Sequence, residues 1–189
     1  RERSEILKAH GLNVPLPPST VGSITAAGRE HPGLVTLPCY EWQHVLVLPK
    51  NHPLAGVKQI TLERLHEHPL VTYHPSFTGR SRIDQAFAHQ GLTPQIALEA
   101  IDSDVIKTYV SLGMGVGVVA EMAVQDGLPD QLISRPAGQL FGTNTARVAF
   151  KRGSYLRHFV LEFAQMLSNR LSRELVLKAL EGRHTDYEL

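Results

Sequence analysis

A single cysteine, Cys39, stands among 189 residues, so the chain cannot close a disulfide framework on itself. An excess of either charge is missing too: 19 Lys and Arg stand against 18 Asp and Glu, a formal net charge of +1. A general nucleic-acid binder needs surplus cations to displace the counterions of the phosphate backbone, and this balance argues against that class. Long apolar runs are absent. The cleanest, Val45–Leu48 and Val116–Ala120, fall far short of the ~20 residues that cross a bilayer. No charged start leads into an apolar export core. These absences point to an intracellular, cytoplasmic chain with no membrane partner. What is present is 42% hydrophobic and 20% charged residues, enough apolar material for a packed interior. The length suits one domain, or two small ones sharing a core.

Residues 1–33 carry little pattern. Arg1–His10 reads as a short polar helix stopped by Gly11, and Pro15, Pro17 and Pro18 forbid regular structure around them. Val21–Thr25 reads as a short strand. From Leu34 the pattern sharpens. Leu34–Leu37 and His44–Leu48 read as two strands punctuated by Pro38 and Pro49, followed by a turn over Pro49–Leu54. A short helix capped by Thr61 carries Leu62, Leu65 and His66 inward, and Leu70–Tyr73 is the next strand. Ile83, Ala86 and Phe87 mark the buried stripe of a helix over Arg80–His89, stopped by Gly91.

Strand, loop and helix then recur. Gln95–Ala100 is a strand, Asp102 or Ser103 caps a helix over Asp104–Leu112, and Gly113 ends it. Val116–Val119 is a buried strand and Glu121–Gln125 a short helix. Leu132–Ser134 and Thr145–Phe150 are late strands. Leu156–Ser168 reads as an amphipathic helix with Phe159, Val160, Phe163 and Leu167 on one side, and Ser172–Leu180 as a terminal helix. The alternation is that of an α/β sheet with crossover connections.

The stretch from Tyr73 to Ser81 is the richest in chemistry. Ser76 and Thr78 hydroxyls, Gly79 and Arg80 fall between a strand end and a helix start. Unpaired N–H groups and the positive end of the helix dipole hold anions there, and glycine lets an oxyanion approach the backbone. In an open α/β sheet, ligands sit at the carboxyl ends of strands. Two readings stay open: an anion or polar-ligand site, or ordinary capping by Ser76 or Thr78 with Arg80 in solvent.

Other candidates read as structural. Asp102 and Asp104 at a helix start serve as caps and would repel an anion. Gly113, Gly115 and Gly117 follow a helix and precede a strand, the reverse of a dinucleotide fingerprint, and read as tight packing of a turn on the sheet. His66 and His68 lack the i, i+4 spacing of a zinc helix, so no metal is expected. Cys39 reads as a small buried hydrophobe. No Gly-x-Ser-x-Gly elbow or clustered base and nucleophile appears, so no enzyme and no catalytic cofactor is expected. Trp42 reads as core or, at a junction between lobes, as the apolar wall of a ligand cleft.

An ordered series of segments then carries a resemblance: Leu37–Trp42, His52-Pro53-Leu54, Phe77–Ser81, Asp104–Val110 and Gly113-x-Gly115-Val116-Gly117-Val118. Over about residues 20–170 the chain resembles the effector-binding domain of LysR-type transcriptional regulators, and within them the CysB/Cbl branch of sulfur assimilation. The resemblance implies a periplasmic-binding-protein-like fold, two α/β subdomains joined by two crossover strands. Residues 43–145 would form the second subdomain, and residues 1–42 with 146–189 an incomplete first. It implies a small anionic effector between the lobes, such as sulfate or an acetylserine, held by Thr78 and Thr25 with Trp42 lining the cavity. Ser76, Gly79 and Arg80 join this set through their places in the loop. The family further implies a homodimer or tetramer. No winged helix-turn-helix and no opening Thr-rich ligand loop is found, so an N-terminally truncated fragment is expected, contacting DNA only through that missing domain. The competing expectation is a stand-alone solute-binding protein of periplasmic type.

Overall fold

The longest element, the 16-residue strand β1 (Leu34–Pro49), organises everything else in the fold. A computed structural model describes residues 33–181. The expected helix over Arg1–His10, the strand at Val21–Thr25 and the cleft residue Thr25 lie outside the described residues. After β1 come α1 (Leu62–His66), β2 (Leu70–Tyr73), α2 (Thr78–His89), β3 (Ile96–Ala100), α3 (Ser103–Ser111) and β4 (Val116–Ala120). A 3-10 turn (Glu121–Val124) leads to β5 (Leu132–Pro136), α4 (Gly138–Phe141), β6 (Thr143–Lys151), α5 (His158–Leu167) and α6 (Arg173–Leu180).

β1 changes partners part-way along. Leu34 to Gln43 pair antiparallel with β6, whereas His44 to Pro49 pair antiparallel with β4 and β5. The strand order is β3-β2-β4-β1-β5, with β2, β3 and β4 mutually parallel, giving a mixed open sheet. The α/β fold class expected from the sequence is therefore the observed one.

Two expectations need correction. Leu34–Leu37 and His44–Leu48 are one strand, not two, because Pro38 does not break it. The register slips between Pro38 and Tyr40, so the extra residue of a bulge lies beside the proline, where a missing N–H is tolerated. The second concerns α5. Its buried positions are Leu161 and Ala164, while Phe159 and Leu167 are exposed. Phe159 and Leu167 do not share a stripe with the core because the helix is rotated to face Cys39, Phe150 and α6.

Three apolar clusters hold these elements. Leu46, Leu48, Leu65, Ile83, Phe87 and Phe141 fill one face of the larger sheet, under α1, α2 and α4. Val47, Val71, Ile106, Val110 and Val119 fill the other, under α3. The third cluster joins Leu37, Cys39 and Phe150 to α5 and α6. Cys39 is buried as expected, and burial pushes its thiol pKa up, away from the reactive thiolate. Gly115 lies against the Pro69 carbonyl, and Gly117 against Val110 and Ile106, so the glycine run does serve tight packing.

Candidate functional site at the start of α2

α2 and α3 cover opposite faces of the sheet, so the chain leaves the carboxyl ends of β2 and β3 in opposite directions. In open α/β sheets, a divergence of this kind at the strand ends is where ligands ordinarily sit. The loop after β2 lies at this point, and the His74 N–H donates to the Ala100 carbonyl at the end of β3 (3.0 Å).

Within the loop, the His74 ring takes over Ser76. The Ser76 N–H donates to His74 Nδ1 (3.2 Å), and the Ser76 hydroxyl lies 3.0 Å from the same atom. The N-cap of α2 is Phe77, in extended conformation and with no side-chain cap. Capping by Ser76 or Thr78 is therefore not what starts this helix. Ser76 is turned to His74, and Thr78 is already the first helical residue. The first turn also contains no acidic residue. α3 differs: Asp102 accepts from the Asp104 N–H at 2.7 Å, and Asp104 adds a second carboxylate. Of the two helix starts, only that of α2 leaves its dipole without an internal anion.

Arg80 is not in solvent, where the capping reading places it. It is 6% exposed, with Nε 2.8 Å from Asp84 and one terminal nitrogen 2.7 Å from Glu99 and 2.9 Å from the Tyr73 carbonyl. Two carboxylates balance its charge, so it ties α2 to β2 and β3 and is not available to an anion as a fork.

Residues of the long strand pack against this first turn. Trp42 is half-buried, and a methyl on Gly79 would lie 2.8 Å from its Cη2 and 3.0 Å from His44 Nε2. Only glycine leaves room for this contact between helix start and strand. The His44 ring packs edge-on against Trp42 and Phe141, with centroids 5.0 Å and 5.5 Å away. Burial, assisted by the charge of Arg82, lowers the His44 pKa to about 4, with only the Gly79 backbone opposing. The ring is neutral at ordinary pH.

Thr78, Gly79, Trp42 and His44 are thus brought together, with Arg80 beside them in an anchoring role and Ser76 turned to His74. The sequence reading missed His44 and its neighbour Asn144. A signal was present: His44, Leu46 and Leu48 alternate on one face of β1, which marks the histidine as an inward polar residue. Among the described residues, no group of three or more His, Cys, Asp or Glu could hold a metal, and no helix is long and apolar enough to cross a membrane.

The family description "LysR substrate binding domain" matches residues 22–172. The chain belongs to that family. It is 48% identical over 165 residues to the HTH-type transcriptional regulator CysB of Burkholderia cenocepacia, covering 87% of this chain and 53% of that protein. The regulator SsuR of the same species is 45% identical over 152 residues, covering 80% and 49%. Among solved structures, the cofactor-binding domain of the Cbl transcriptional regulator is 42% identical with a TM-score of 0.74, covering 81% of this chain and 68% of that one. The chain spans about half the length of the curated relatives it matches. The fold is the periplasmic-binding-protein-like one of LysR effector domains. The family is one of regulators, not enzymes, as expected, and these relatives do not favour a stand-alone transport protein.

Proposed function

We propose that this chain is the effector-sensing part of a cytoplasmic transcription regulator of sulfur assimilation. Its effector is a small anion, sulfate or a related compound such as an acetylserine, held at the start of α2. The observation that carries the reading is a helix start with no side-chain cap and no acid, at the carboxyl end of β2, facing Trp42 and closed in by Gly79. The relatedness to CysB, SsuR and Cbl supports sulfur compounds as the class.

In this reading Thr78 supplies a hydroxyl, Thr78 and Gly79 supply N–H groups (the Arg80 N–H already donates to the Phe77 carbonyl at 3.1 Å), and Trp42 forms an apolar wall. Thr25 would complete the set from the first lobe. Residues 43–145 act as the second lobe, and residues 1–42 with 146–189 belong to the first. The partner switch of β1 between Gln43 and His44 supports that division, as do the separate apolar clusters on either side of it. An effector can bias the lobes only by binding one arrangement better than the other, and β1 with β6 form the two-strand hinge. The regulator works as a homodimer or tetramer and contacts DNA through a helix-turn-helix segment.

Calorimetric titration of the 189-residue chain with sulfate and with acetylserines tests the site. A hydrogen bond to a charged group is worth about 1.5–3 kcal/mol, so Thr78→Ala weakens binding by about tenfold or more. Equal affinity in wild type and variant contradicts the assignment.

A further inference from the structure

One buried polar side chain at this site has an atom left without a well-formed hydrogen bond among the described residues. His44 is 0% exposed, and Asn144 Nδ2 lies 3.5 Å from its Nδ1. With the Asn144 amide nitrogen towards the ring, Nδ1 accepts and the proton of the neutral ring sits on Nε2; an amide turned over would select the other tautomer. Among the described residues Nε2 makes no well-formed hydrogen bond, with only the Gly79 backbone close enough to favour the protonated ring, and it faces the first turn of α2, 3.0 Å from where a side chain on Gly79 would begin. The rings of Trp42 and Phe141 hold the imidazole plane in place. Folded proteins leave few buried donors without an acceptor, because an unmade hydrogen bond costs more than a made one gains.

Building on the reading of the α2 start as an anion site, we infer that His44 is a further ligand-contacting residue, whose Nε2–H donates to an anionic oxygen drawn to that turn. As a neutral donor it adds a hydrogen bond without adding a charge that would hold the ligand irreversibly. Trp42 and Gly79 shield the atom, so an arriving oxyanion reaches it only by displacing the Trp42 ring or the loop 74–79. His44 stands on β1 where its pairing passes from β6 to β4. Binding there therefore pulls directly on β1.

The test uses the 189-residue chain with sulfate as the probe. The imidazole Nε2–H resonance of His44 is followed by NMR in wild-type protein while sulfate is added, and sulfate affinity is measured for His44→Phe and Thr78→Ala. The expected result is a displaced Nε2–H resonance, with His44→Phe weakening sulfate by about tenfold or more. If Thr78→Ala weakens sulfate but the resonance stays put, and a His44→Phe protein that melts like wild type binds normally, His44 is not a ligand while the proposed site stands. If wild-type protein binds no sulfate, the proposed site and His44's role in it both fall. Should His44→Phe not fold, the wild-type resonance alone decides.

Discussion

His44 ties the chemistry of the site to the stability of the fold. Its folded pKa of about 4 lies below the ordinary 6.5, so as pH falls the unfolded chain takes the proton first. Its contribution to stability is complete above about pH 6.5, declines between there and pH 4, and levels off below. Across that interval the loss amounts to about 3 kcal/mol. Urea denaturation at pH 7 and pH 4.5 should show wild-type protein losing about 2–3 kcal/mol more than His44→Phe. Matching losses would mean that the ring is not buried in neutral form. Arg80 shows the opposite balance: burial lowers its pKa, but hydrogen bonds and charge from Asp84 and Glu99 outweigh it and raise the value overall. The sequence shows an arginine in an anion loop, but the carboxylates that neutralise it stand 4 and 19 positions away. No local pattern couples Arg80 to Glu99, so its anchoring role was not legible.

Among elements, those with local causes were the most legible. Thr61 caps α1, Asp102 caps α3 and Ser172 caps α6, each through a side chain close in sequence to the N–H it satisfies. Gly91 and Gly113 take left-handed backbone at helix ends, as glycine permits. The failures have non-local causes. Pro38 reads as a break, yet the bulge opposite Arg147 and Ala146 absorbs it. The α5 stripe holds for Val160 but not for Phe159 and Leu167: seven apolar residues in ten leave several rotations possible, and only packing against β1, β6 and α6 selects Leu161 and Ala164. The glycine turn between α3 and β4 allows a graded prediction. A methyl at Gly113 meets no atom but must adopt a φ of +81°, costing about 1–2 kcal/mol. A methyl at Gly115 runs into the Pro69 carbonyl, which also accepts the Val116 N–H at 2.8 Å. Gly115→Ala should therefore lower the urea midpoint more than Gly113→Ala, since the backbone has to move. The reverse order would show that the turn is not packed on β2 in this way.

For the whole molecule, the decisive feature is a single strand shared by two hydrogen-bonded ladders. The larger ladder and its two helical faces were readable as repeated strand–loop–helix units, and family resemblance supplied the crossover. Alternation alone would not have joined Leu34 to Pro49. The strand carries Cys39 into one core, Trp42 and His44 against the start of α2, and Leu46 and Leu48 into another core. On the proposed function, an anion that rearranges the loop against Trp42 and His44 would act on the one element common to both parts, as a bistable regulator requires. The central claim is that uncharged donors at the start of α2 hold the anion. Backbone amide chemical shifts recorded during a sulfate titration of the 189-residue chain test it most directly. On this claim, saturable shifts concentrated on the Thr78 and Gly79 N–H groups and the Trp42 indole are expected. Shifts confined to exposed lysines and arginines elsewhere, with the 77–81 amides unmoved, would contradict it.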